Sequence, residues 1–154
     1  MVRLTARIAA VLLLAPLCCA ALLAQAADMS SPVGRWKTID DATGKAKAIV
    51  VIREDDGKLS ASIEKELDTD QPGPNPVCLA CEGALKNQPL QGLRFLWEVK
   101  KDGNQWAGGQ ILDPHNGKVY RCILALDDGG RKLKVRGFIG FALLGRTEYW
   151  QRAD

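Results

Sequence analysis

The chain has 154 residues, a formal net charge of +3 and one histidine. A chain of this length is one domain with room for a real core. Its charge excludes the strongly basic balance of a nucleic-acid binder.

The N-terminus reads as a cleavable secretory signal over residues 1–26. Arg3 and Arg7 precede an uncharged run rich in Ala and Leu, Ile8 to Leu23, and Ala24-Gln25-Ala26 supplies the small residues of a cleavage site. The run contains Pro16 and falls short of the roughly 20 apolar residues that span a bilayer, so the mature protein is expected not to span a membrane. Cys18 and Cys19 lack the small residues that precede a lipidated cysteine and read as apolar filler. A cut after Ala26 leaves one domain, 27–154, of about 128 residues. It removes two arginines and no acid, which lowers the formal charge from +3 to about +1. The expected destination is the periplasm, with secretion as second choice.

Eight strands are predicted beyond that point: Val33–Ile39, Ala46–Glu54, Lys58–Lys65, Leu93–Lys100, Gln105–Leu112, Lys118–Leu126, Lys132–Phe138 and Arg146–Arg152. Leu59, Ala61 and Ile63 alternate with polar neighbours, and Tyr120, Cys122 and Leu124 do so less cleanly, a period of two rather than a helical one. Turns rich in Asp, Asn and Gly follow at 40–44, 55–57, 101–104, 113–117 and 127–130. Tight turns pair sequential strands antiparallel. An all-β, up-and-down sheet of about this size hides its edges by closing into a barrel.

Two connections are not tight. Leu67 to Leu90 carries Gln71-Pro72-Gly73-Pro74-Asn75-Pro76 and then Cys78-Leu79-Ala80-Cys81, and Gly137 to Gly145 is nearly all apolar. Connections of that length are often functional. The second reads first as a plug closing one barrel end, and second as a hydrophobic lip for ligand, partner or membrane.

Cys78 and Cys81 carry the strongest chemical signal. In an oxidising compartment such a pair closes as a disulfide. A redox-active pair ranks second and zinc a distant third. A redox motif needs a βαβ setting that is absent here, and His115 and Cys122 lie roughly 23 Å apart on an extended strand, too far to share a metal. Cys122 shares the phase of Tyr120 and Leu124 and reads as a buried small hydrophobe. His115 reads as turn filler, and without it no nucleophile–base set can be assembled. Asp40 and Asp113 are the least implausible catalytic acids. Trp97 and Tyr120 are the first choices for cavity walls, with Phe138 and Phe141 in the apolar segment as further ligand contacts. Arg136 shares the phase of Lys132 and Lys134 and is expected to point outward. No metal or cofactor is expected.

Gly34-Arg35-Trp36 on the opening strand and Arg146 on the closing one resemble the lipocalin or calycin pattern. There an Arg lies across the Trp at the closed end, a cation–π geometry worth ~0.5–2 kcal/mol. The resemblance assigns that pairing to Trp36 and Arg146. More of the chain is similar to a bacterial exported family known only as domain of unknown function 2147. The similarity runs through Gly34 to Asp40, Cys78 to Cys81, Gly108 to Pro114, Asn116 to Tyr120, Val135 to Gly140 and Leu144 to Thr147. It implies a lipocalin-like barrel in the periplasm, with no established ligand.

Three functions are therefore ranked. The first is a binding protein holding a small, largely apolar ligand inside the barrel. The second is a structural or interaction module of the cell envelope using the barrel surface. The third is an enzyme using carboxylates or thiols.

Overall fold

The structure, a computed structural model, describes residues 28–153. The signal reading of 1–26 lies outside them. Eight antiparallel strands close into one barrel, each bonded to its neighbours in sequence and the last to the first. They are β1 (Gly34–Ile39), β2 (Ala46–Asp55), β3 (Lys58–Glu66), β4 (Arg94–Asp102), β5 (Gln105–Asp113), β6 (Lys118–Asp127), β7 (Lys132–Phe138) and β8 (Arg146–Arg152). Every expected strand is present, with bounds within two residues of the sequence reading. Among the described residues no helix is long and apolar enough to cross a membrane.

The inward faces follow the pleat. Val50 and Ile52, Leu59, Ala61 and Ile63, Cys122 and Leu124, and Leu133 and Val135 are all buried. Successive side chains on a strand point to opposite faces, so one register error would expose a whole set. Strand β4 breaks the rule. Phe95, Leu96 and Val99 are buried there, and Glu98 adopts a φ of 60° between them.

Up-and-down topology sorts the connections between two ends. The β2–β3, β4–β5 and β6–β7 turns share one end with both termini of the barrel. The other four connections, including both long ones, share the opposite end. Both long connections therefore stand at the end opposite the termini.

The closed end is packed solid. Trp36, Ile52, Leu59, Val99, Leu124 and Leu133 are essentially inaccessible there. The Trp36 indole N–H donates to the Pro32 carbonyl at 2.8 Å, so the segment before β1 folds across the barrel floor. Arg152 lies over the Trp36 ring, its guanidinium carbon 4.3 Å from the centroid. Its guanidinium also donates to the carbonyls of Ser31 at 2.8 Å, Val33 at 3.2 Å and Gly130 at 2.8 Å.

The expected partner of Trp36 is therefore corrected from Arg146 to Arg152. The register explains it. Trp36 stands opposite Arg152 across the β1–β8 seam, whereas Arg146 begins β8 at the other end and reaches Asp41 at 3.4 Å and Glu148 at 3.3 Å. Gly34 belongs to the same arrangement. Its φ is +131°, and a Cβ there would sit 3.1 Å from an Arg152 nitrogen. The Gly-x-Trp motif thus makes room for the arginine that covers the tryptophan.

Candidate functional site

At the opposite end the barrel is hollow. A cavity of about 870 Å³ opens there, and every strand contributes to its wall. That volume is within the range of small-molecule sites, ~300–1,000 Å³. Val50, Ile63, Phe95, Ile111, Val135 and Trp150 form its apolar part. Phe95 and Trp150 pack with ring centroids 6.0 Å apart and planes tilted by 54°. Trp150 is buried, and its indole N–H is the only buried side-chain polar atom among the described residues without a hydrogen-bond partner.

The rim is built by the long connections. Cys78 and Cys81 form a disulfide with Cα atoms 5.4 Å apart, as the sequence leads one to expect in an oxidising compartment. The loop around it is tied twice more. The Gln71 side chain donates to the Val77 carbonyl at 2.7 Å and accepts from the Val77 N–H at 2.9 Å. Cys78 and Gln88 are joined through their backbones at 2.8 Å.

This stapled loop lies against the β5–β6 turn. The Cys78 sulfur is 3.5 Å from the Pro114 carbonyl. Gly117, at φ +70°, passes so close to Ala80 that a Cβ would overlap its carbonyl. Two motifs far apart in sequence therefore meet as one wall, with Leu79, Ala80, Pro114, His115 and Asn116 all lining the cavity. Sequence reading singled out both motifs but had no signal that they touch.

Of the expected wall residues, Tyr120 and Phe138 line the cavity. The Tyr120 hydroxyl accepts from the Asn116 amide at 3.1 Å, and that amide also donates to Asp113 at 2.8 Å. Trp97 does not line it. The irregularity at Glu98 shifts the phase of β4, and the indole N–H of Trp97 reaches the exposed Gln110 at 3.2 Å, on the outer face. Leu96 takes the inner place instead, and a second register shift, between Ala61 and Ser62 of the facing strand, turns Phe95 inward as well. Phe141 is also outside the wall and is 80 % exposed.

The segment 137–145 does not plug the barrel. Phe138 is buried, but Ile139, Phe141, Leu143 and Leu144 are exposed, with Leu143 at 91 %. Arg136 explains this posture. It points outward, as its phase implies, and donates to the carbonyls of Ala142 at 2.6 Å and Leu143 at 3.0 Å and to the Thr147 hydroxyl at 2.6 Å. The guanidinium holds the loop as a raised rim whose Ile139 and Leu144 reach the cavity edge.

The acids weighed for catalysis do line the cavity but serve as turn acceptors. Asp40 accepts from Thr43 N–H at 2.8 Å, Thr43 hydroxyl at 2.8 Å and Ala42 N–H at 3.1 Å. The Thr43 hydroxyl and backbone bonds hold its carboxyl below the usual range, so it stays ionised and is a poor proton donor. Asp113 accepts from the His115 N–H at 2.9 Å and from Asn116. The Cys122 thiol is buried, and burial pushes its pKa up to about 12, which leaves it protonated and unreactive.

Fold and cavity together define a calycin-like barrel that is open at one end, with an apolar inner wall and a polar rim. The solved structure of protein HP1028 from the human pathogen Helicobacter pylori, which belongs to the lipocalin family, is similar, with a TM-score of 0.68 and 21 % identity. The similarity covers 80 % of this chain and 84 % of that one, and at this identity it speaks for the fold alone. Residues 34–152 match the family described as "Uncharacterized protein conserved in bacteria (DUF2147)", and the chain belongs to that family. No curated protein matches it.

Proposed function

We propose that this protein is an exported, periplasmic binding protein that holds a small, largely apolar molecule in the open half of its barrel. The cavity carries the reading. A barrel of eight strands has just enough girth to fill itself with side chains or to hold one small ligand. This one does the first at its closed end and the second at its open end. The apolar leader and the Cys78–Cys81 disulfide support a location outside the cytoplasm.

The test has two parts. Native mass spectrometry of protein purified from its own periplasm is expected to show a bound molecule. The emptied protein is expected to bind the neutral probe N-phenyl-1-naphthylamine saturably at one site. Ala48→Trp, which fills the wall from a small buried position, abolishes that binding while the thermal transition stays cooperative. Empty protein together with no saturable binding overturns the proposal.

A second reading has one observation in its favour. The exposed Ile139, Phe141, Leu143 and Leu144 form the kind of apolar patch that marks a contact surface. It would make the barrel a module of envelope assemblies. It predicts that Phe141→Ser with Leu143→Ser abolishes co-purification of a partner without altering probe binding.

A further inference from the structure

We propose that the ligand of this cavity is a cationic amphiphile, an amine or quaternary ammonium group on an apolar body; this rests on the binding-protein reading above. The apolar body is dictated by the wall already described. The charge is dictated by the rim, where six carboxylates line the cavity, Asp40, Glu66, Asp68, Asp70, Asp113 and Glu148, against two cationic side chains, Lys47 and Arg146.

Both cations are engaged. Lys47 lies 3.8 Å from Asp40, and Arg146 spans Asp41 and Glu148. Glu66, Asp68 and Asp70 form no ion pair among the described residues. All three stand at or just past the end of β3, where the chain leaves the barrel over the cavity mouth. Arg121 lies 5.2 Å over the Phe138 ring but does not reach the wall. A mouth whose lining is acidic on balance, above low-dielectric walls, focuses the field and concentrates the opposite charge.

Burial also raises the Glu66 carboxyl above its ordinary range, with Lys47 only partly offsetting it. A fixed positive charge close by would relieve that cost.

Two rival ligand classes fit less well. A fatty acid or other anionic amphiphile would bring its charge into an acidic mouth where, among the described lining residues, both Lys47 and Arg146 are already paired with carboxylates. A metal ion needs ligands that converge on a point, and no three His, Cys, Asp or Glu side chains do so among the described residues. Carboxylates spread around a rim suit a diffuse organic cation, and the aromatic residues Tyr120 and Phe138 line the same wall.

The experiment is isothermal titration of the emptied mature protein, at neutral pH and low salt, with decyltrimethylammonium, decanoate and 1-decanol below their aggregation limits. The ammonium is expected to bind about tenfold tighter than decanoate, with the alcohol between. The gap is expected to shrink at least threefold in Glu66→Gln/Asp68→Asn/Asp70→Asn. It should stay unchanged in Asp55→Asn/Asp56→Asn, which neutralises exposed acids at the closed end. Decanoate binding as tightly as the ammonium, or a gap insensitive to the rim amides, overturns the cationic ligand and leaves the binding-protein reading standing. Failure of all three to bind, together with failure of the neutral naphthylamine, overturns both.

Discussion

The guanidinium of Arg152 lies over the indole of Trp36, and the same group ties Ser31, Val33 and Gly130 to the barrel floor. The last strand thus locks the first strand, the segment before it and the β6–β7 turn in a single contact. Among the described strands the β1–β8 seam is the one pairing between strands that are not consecutive in the chain, and its register is short, with Trp36 opposite Arg152 and Lys37 opposite Gln151. A side-chain clamp beside a short seam resists fraying where the ladder is weakest.

Replacing Arg152 by Gln is therefore expected to destabilise the barrel by about 2 kcal/mol, through the lost cation–π contact and the unpaired carbonyls. Replacing Arg146 by Gln is expected to cost less than about 1 kcal/mol, because its ion pairs are exposed. Urea unfolding of both variants checks this. A larger loss at Arg146 would place the closing arginine there instead.

Thiol titration of a chain of residues 27–154 separates its three cysteines, Cys78, Cys81 and Cys122. The native protein is expected to give almost no reaction, since Cys122 is buried and its pKa is pushed to about 12. One thiol is expected after denaturation and three after denaturation with reduction. Two extra thiols before reduction would show that Cys78 and Cys81 are open.

Gly117→Ala is expected to disturb the cavity mouth more than its small size implies. The residue needs a positive φ, which costs an L-residue ~1–2 kcal/mol, and the new methyl would collide with the Ala80 carbonyl. The disulfide loop must then move off the β5–β6 turn. Amide chemical-shift changes are expected at 77–81 and 113–120, with the closed end unaffected.

Glu66 makes stability depend on pH in a definite direction. Its folded-state pKa is raised by burial above 4.5, so the folded protein binds that proton more tightly than the unfolded chain. Ionisation above the raised value costs stability, and the cost disappears as pH falls toward 4.5. Glu66→Gln is expected to be more stable than the wild type at neutral pH, with the difference vanishing near pH 4. Thermal melts across that range measure it.

Much of this architecture is legible in the residue pattern. Leu59, Ala61 and Ile63 alternate cleanly, and an Asp- or Asn-rich Gly turn ends most strands, so strand bounds and the antiparallel order follow from local sterics and the period of the pleat. Where that period is broken locally, the reading fails. Trp97 is a first choice for a cavity wall from the sequence, but the positive φ at Glu98 and the register shift beside it turn it to the outer face. Phe141 and its neighbours read as a plug because they are apolar, yet Arg136 holds their backbone away from the barrel.

By itself the sequence determined the number and order of strands and the inward face of β3, β6 and β7, and it ranked a disulfide first for Cys78 and Cys81. These depend on interactions between near neighbours, which leave a periodic trace. Tertiary structure alone decided that Arg152 rather than Arg146 covers Trp36, that the disulfide loop and the Asp113–Gly117 turn share a wall, and that the barrel is packed at one end and hollow at the other. Those outcomes depend on the register at closure and on which long connections fall at the same end, and such long-range pairings leave no periodic mark in a single chain.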